Sequence, residues 1–206
     1  MKIPLQYQRS EYDCGPTALL NAVSFLFDRK DIPPDILKHI MMYSLDTFNT
    51  DGEACKEGTS QMAMMFLSNW LNQYAKIGRL PVASEFLCGK QVQIGEHSRI
   101  VSALQQGGAV VLRVWYDCGH YVTLTGVSGK SVTLFDPYFR RQPFRQEGIT
   151  AIKDKPFAAN RKVDLAVLGR PGRHPYSLEE SEKREAVILF NTATRKTPED
   201  TIEYFL

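Results

Sequence analysis

Residues 8 to 23 read QRSEYDCGPTALLNAV: a polar run, a cysteine, a glycine, a proline and then an apolar run. Ala18, Leu19, Ala22, Val23, Leu26 and Phe27 recur at three- and four-residue spacing, which predicts a helix with one wide apolar stripe. A stripe that wide belongs to a central, largely buried helix. Cys14 stands where this helix begins, with Gly15 permitting close approach and Pro16 suited to the first turn. Helix N-termini present unpaired N–H groups and the positive end of the helix dipole, so they stabilise an anion such as a thiolate. Cys14 is therefore either a small buried hydrophobe or a nucleophile. A nucleophile needs a base.

Four histidines are available, at positions 39, 97, 120 and 174. His39 lies in a helical stripe, His97 at the start of a short helix and His174 in a loop rich in Gly and Pro, all ordinary surface or capping places. His120 differs, because it opens the segment HYVTLTGVSGKSVTLFDPYF, which reads as two strands around a Ser-Gly-Lys turn. The midpoint between His120 and Asp136 is Ser128, inside that turn. A hairpin closed there sets the two side chains opposite each other on one face, and a slip of one residue separates them. A carboxylate beside an imidazole fixes its tautomer and steadies the imidazolium. Gln8 lies six residues before Cys14. A folded-back loop lets its amide join the Cys14 N–H as an oxyanion hole for acyl transfer.

Around these residues the pattern is helices first and strands second. DIPPDILKHIMMYSL predicts a second helix with Ile36, Leu37, Ile40 and Met41 on its apolar face. A third helix follows Thr59 or Ser60 and stops before Gly78, with Met62, Met65 and Phe66 expected in the core. EHSRIVSALQQGG is a short fourth helix. AVVLRVWY, VDLAVLG and EAVILFNT are β-rich, the last two separated by the polar segment RPGRHPYSLEESEKR. The expectation is an α+β architecture, helical lobe followed by antiparallel β lobe. Its boundaries are about 1–90 for the mainly helical part and about 91–206 for the mainly β part.

Composition narrows the partners. A net charge of +2 over 206 residues gives no global field for nucleic acid or membrane. Tyr138 to Arg173 carries nine Lys/Arg against three Asp/Glu, with aromatics interleaved in YFRRQPFRQ. It is read as a solvated basic face, and no nucleic acid is expected. TALLNAVSFLF is far shorter than a membrane helix, and MKIPLQYQ lacks the apolar run of a secretion signal. Cysteines 14, 55, 88 and 118 form no CxxC and are read as thiols, which points to the cytoplasm. CGH at 118–120 lacks the spacing of zinc ligands, so no metal or organic cofactor is expected.

Gln8, DCG at 13–15 with its apolar helix, GHYVTLTG at 119–126 and FDP at 135–137 together resemble the bacteriocin-processing cysteine peptidases. These cut leader peptides after a double glycine and have a papain-like fold. The Gln-to-Cys spacing of six and the His-to-Asp spacing of sixteen both suit that family. The resemblance covers roughly residues 5 to 140 and implies one papain-like peptidase domain over 1–206, a stand-alone relative without transporter segments. It implies Cys14 as nucleophile, His120 as general base and acid, Asp136 as its orienting partner and Gln8 as oxyanion donor, acting on a peptide or protein substrate. The same thiol chemistry serves an acyltransferase or a deamidase, and a catalytically silent peptide-binding module is the remaining alternative.

Overall fold

A computed structural model describes residues 1–142, 144 and 146–196. Three helices come first: α1 (Cys14–Leu26), α2 (Pro34–Ser44) and α3 (Gln61–Lys76). Then follow β1 (Val82–Cys88), α4 (Arg99–Gln105), β2 (Ala109–Tyr116), β3 (Cys118–Ser128) and β4 (Ser131–Phe135). The rest comprises β5 (Ile149–Ala151), β6 (Arg161–Asp164), the single turn α5 (Leu165–Leu168) and β7 (Glu185–Asn191). The expected helix starts have physical causes. Ser60 Oγ accepts the Ala63 N–H at 3.1 Å and Ser98 Oγ accepts the Val101 N–H at 3.2 Å, each filling a first-turn donor.

All seven strands join one antiparallel sheet in the order β1-β7-β2-β3-β4-β6-β5. One face carries Val111, Tyr121, Thr123, Val187 and Leu189 against α1, α2 and α3, while the other carries Val110, Leu112, Val122, Leu124 and Ile188 against α4. Burial on both faces explains why β2 reads as the continuous run AVVL rather than as an alternation. The helices-first pattern needs one correction. β1 falls within the first ninety residues, and its pairing partner is β7, a hundred residues later.

Three further expectations change. In α3 the buried side belongs to Ala63, Met64, Leu67 and Leu71, whereas Met62 is 66% exposed and Phe66 46%. MAMMFL is apolar nearly all round, so periodicity left the helix rotation open, and packing on β1 and α2 decided it. Of the four apolar residues expected on the buried face of α2, Ile36 and Ile40 are buried, and Leu37 and Met41 face outward. VDLAVLG is a strand only to Asp164, whose Oδ1 accepts the Ser131 hydroxyl at 2.6 Å, and then turns into α5.

The first helix is fixed to the sheet by more than apolar contact. Ala18, Leu19 and Ala22 have no solvent exposure, and Thr123 of β3 donates its hydroxyl to the Ala18 carbonyl at 2.7 Å. The nearly isosteric change Thr123→Val removes that bond alone. It is expected to lower stability by about 1 kcal/mol, seen as a lower urea midpoint with an unchanged slope.

Candidate active site

The approach to α1 is shaped by one carboxylate. Asp13 accepts the N–H groups of Arg9 at 3.0 Å and Ser10 at 2.7 Å and the Ser10 hydroxyl at 2.6 Å. Burial pushes its carboxyl up, but these hydrogen bonds outweigh it and leave the pKa below the ordinary value. The segment from Arg9 to Asp13 thereby folds into a closed loop that sets Cys14 as the first residue of α1, buried. Gly15 is needed here because a Cβ would lie 2.3 Å from Thr59 Oγ1.

His120 and Asp136 meet, by a register different from the expected one. The hairpin turns at Gly129 and Lys130, with Ser128 opposite Ser131 and Gly126 opposite Thr133. Carried on unchanged, that register would set Asp136 opposite Thr123, on the wrong face. A bulge between Leu124 and Gly126 resets the pairing to Leu124 opposite Leu134. Asp136 then follows opposite Val122, diagonal to His120 and on its face. His120 Nε2 lies 2.8 Å from Asp136 Oδ1.

Asp136 is held from every side. Its Oδ1 also accepts the Tyr138 N–H at 2.8 Å, and its Oδ2 accepts the Tyr176 hydroxyl at 2.5 Å. Asn160 brackets its backbone, accepting from the Asp136 N–H and donating to the Asp136 carbonyl, both at 2.8 Å. Tyr176 and Asn160 lie beyond the stretch in which sequence motifs were found. Tyr176 is fully buried at φ 66, and backbone bonds with Trp115 seat it beside the end of β2. A bulky residue at positive φ is held there by its surroundings. An aromatic inside the polar segment HPYS was the one sequence signal for it.

The remaining candidates separate. Gln8 is tied to the Asp136 loop, its N–H donating to the Pro137 carbonyl at 2.9 Å. Its side-chain Nε2 donates to the Ser10 carbonyl at 2.7 Å, and its buried Oε1 has no partner. His39 donates Nδ1–H to the Asp35 carbonyl at 2.7 Å and packs against the rings of Tyr43 and Trp70. His97 precedes α4 and His174 precedes Tyr176 in its loop. Cys55, Cys88 and Cys118 are exposed. Of the basic stretch, Arg145 and Pro143 lie outside the described residues.

Electrostatics favour a charged imidazole. Burial works against the charge on His120, yet the Asp136 carboxylate and the Cys14 side chain lying against the same ring raise its pKa from 6.5 to about 10. For Asp136 burial again acts upward, and the bonds from His120, Tyr176 and the Tyr138 N–H outweigh it and lower the pKa. With an acceptor-only carboxylate on Nε2, that nitrogen carries a proton, and Nδ1 is the ring atom left for the thiol. Between pH 6.5 and about 10 folded His120 holds a proton that the unfolded chain has lost. Its contribution to stability is full below 6.5 and disappears as pH rises towards 10. Asp136→Asn is therefore expected to flatten the fall of the urea midpoint across that interval relative to the wild type.

Curated proteins yield no match. Among solved structures the chain is similar to the crystal structure of a double glycine motif protease from an AMS/PCAT transporter in complex with the leader peptide. The identity is 14%, the TM-score 0.45, and 91% of each chain is covered. The model of the Peptidase_C39 like family matches residues 1–158, the span that holds Cys14, His120 and Asp136. The chain thus belongs to the Peptidase_C39 like family and is a cysteine peptidase-like protein with an α+β, papain-like fold.

Proposed function

We propose that the protein is a cysteine peptidase that cleaves a peptide or amide bond of a peptide or protein substrate, with residues 1–206 acting as one domain. The observation that carries this reading is the 2.8 Å contact between His120 Nε2 and Asp136 Oδ1, with Cys14 against the same ring at a helix N-terminus. Family membership supports it.

In this reading His120 takes the Cys14 proton through Nδ1, giving a thiolate–imidazolium pair. The thiolate attacks the scissile carbonyl, and negative charge moves to the carbonyl oxygen. The Cys14 N–H and the second hydrogen of Gln8 Nε2 stabilise that charge, since only one of the two amide hydrogens is engaged by Ser10. Collapse breaks the C–N bond, His120 protonates the leaving amine and a thioester remains on Cys14. Water, deprotonated by His120, attacks the thioester, releasing the acid and restoring the thiol. Asp136 keeps the ring in one tautomer and orientation throughout.

The test is alkylation of Cys14 by iodoacetamide as a function of pH, read from the Cys14 peptide by mass spectrometry. Cys14 is expected to label about tenfold or more faster than exposed Cys55 at pH 6, and His120→Ala to remove the advantage. Equal rates in wild type and His120→Ala would overturn the reading.

A further inference from the structure

A groove of about 260 Å³ lies beside the nucleophile, lined by Thr59, Gln61, Arg113, Glu182, Lys183 and Glu185. Three contacts fix its position. Thr59 packs on Gly15, the residue after Cys14, so closely that no Cβ fits between them. The Arg113 guanidinium lies over Gly119, the residue before His120. Tyr121, the residue after His120, donates its hydroxyl to Glu185 Oε1 at 2.7 Å, and the same Tyr121 hydroxyl lies 3.4 Å from the Thr59 carbonyl. The groove therefore flanks both Cys14 and His120.

Two of its polar atoms have no partner. Glu185 is only 4% exposed, yet its Oε2 accepts no hydrogen bond, and neither does Thr59 Oγ1 make one. Arg113 does not fill the gap. Its Nη1 is committed to Glu179 Oε2 and to the Lys183 carbonyl, and its Nε stays 3.6 Å from the other oxygen of Glu185. Burial pushes the Glu185 carboxyl up from its ordinary value. A buried carboxylate oxygen without a donor is costly; Arg113 faces Glu185 Oε1, and among the described residues none donates to Oε2. A donor reaching Oε2 would satisfy it, and a cation meets a carboxylate better than a neutral amide does.

We propose that this groove is a substrate subsite for a basic side chain, arginine or lysine, close to the scissile bond, with Glu185 Oε2 and Thr59 Oγ1 as its acceptors. The assignment rests on the peptidase reading and adds a substrate class to it: peptides with a cationic residue near the cleaved bond. Glu182 in the groove lining adds a second negative charge, set against those of Lys183 and Arg113, of which Arg113 is engaged by Glu179.

The test uses binding, so that it does not depend on thiol chemistry. Cys14→Ala protein is titrated with acetylated tetrapeptide amides carrying one arginine at each position in turn, and with the same peptides carrying the neutral isostere citrulline. At one position arginine is expected to bind about tenfold tighter than citrulline, and Glu185→Gln in the same background to abolish the difference. Thr59→Val is expected to weaken arginine binding independently of any change at position 185. Equal affinity for arginine and citrulline peptides, absence of saturable binding, or a preference that survives Glu185→Gln would each overturn the subsite. Failure of Cys14 to label fast with iodoacetamide would instead overturn the peptidase reading, so the two failures are distinct.

Discussion

The structure depends on the seam between α1 and β3. A helix whose Ala18, Leu19 and Ala22 are fully buried can sit in one place only, because close-packed interiors admit no sliding without opening cavities. Thr123 adds a directional bond to Ala18 across the seam. The helix carries Cys14 at its first position, and the strand carries His120 near its start. Packing that contributes nothing chemically thus determines the relation between thiol and imidazole. Gly15 belongs to the same constraint, since the helix could not approach Thr59 with any larger residue.

Around that seam the polar groups are graded by how completely they are satisfied. Asp13 and Asp136 are each surrounded by donors and are depressed in pKa accordingly. Both are fixed acceptors that hold a loop or a ring. Glu185, also buried, keeps one oxygen without a partner and is shifted the other way. Gln8 similarly leaves its Oε1 unmet. Among the described residues, Gln8, Thr59 and Glu185 carry unmet groups near Cys14, while two more, on Gln146 and Arg161, lie by β5 and β6. The complete bonding of Asp13 and Asp136 fits a preorganised site, whose supports are in place before any ligand arrives.

How much of this was legible in the sequence varied with the kind of information each element carries. The stripe of α1 and the run AVVLRVWY were readable because one pattern fits each of them. α3 was not readable in rotation, since Met62, Met64, Met65 and Phe66 offer several apolar faces and only the neighbours select one. β1 lacked both alternation and a local partner, and long-range pairing with β7 alone makes it a strand. The meeting of His120 with Asp136 was foreseen, but with a straight ladder. The turn at Gly129 and Lys130 and the one-residue shift at the bulge beside Thr125 together leave the register two residues from the straight ladder, which keeps the face and which a midpoint rule does not see. Tyr176 and Asn160 reach Asp136 across 40 and 24 residues of chain, with no spacing rule to announce them.

The insertion of β7 between β1 and β2 has a consequence in time. A chain made from its N-terminus has Cys14, His120 and Asp136 outside the ribosome well before residue 185 has been added. Until then β1 has no partner on that side, β2 has an open edge, and the hydroxyl of Tyr176 is not yet in place behind Asp136. Non-local pairing of this kind is slow to form and comes late in folding. The nascent protein therefore holds Cys14 and His120 on an incomplete sheet until β7 has been added. The sheet is continuous only once β7 joins β1 to β2, and Tyr176, just ahead of it in the chain, then backs Asp136.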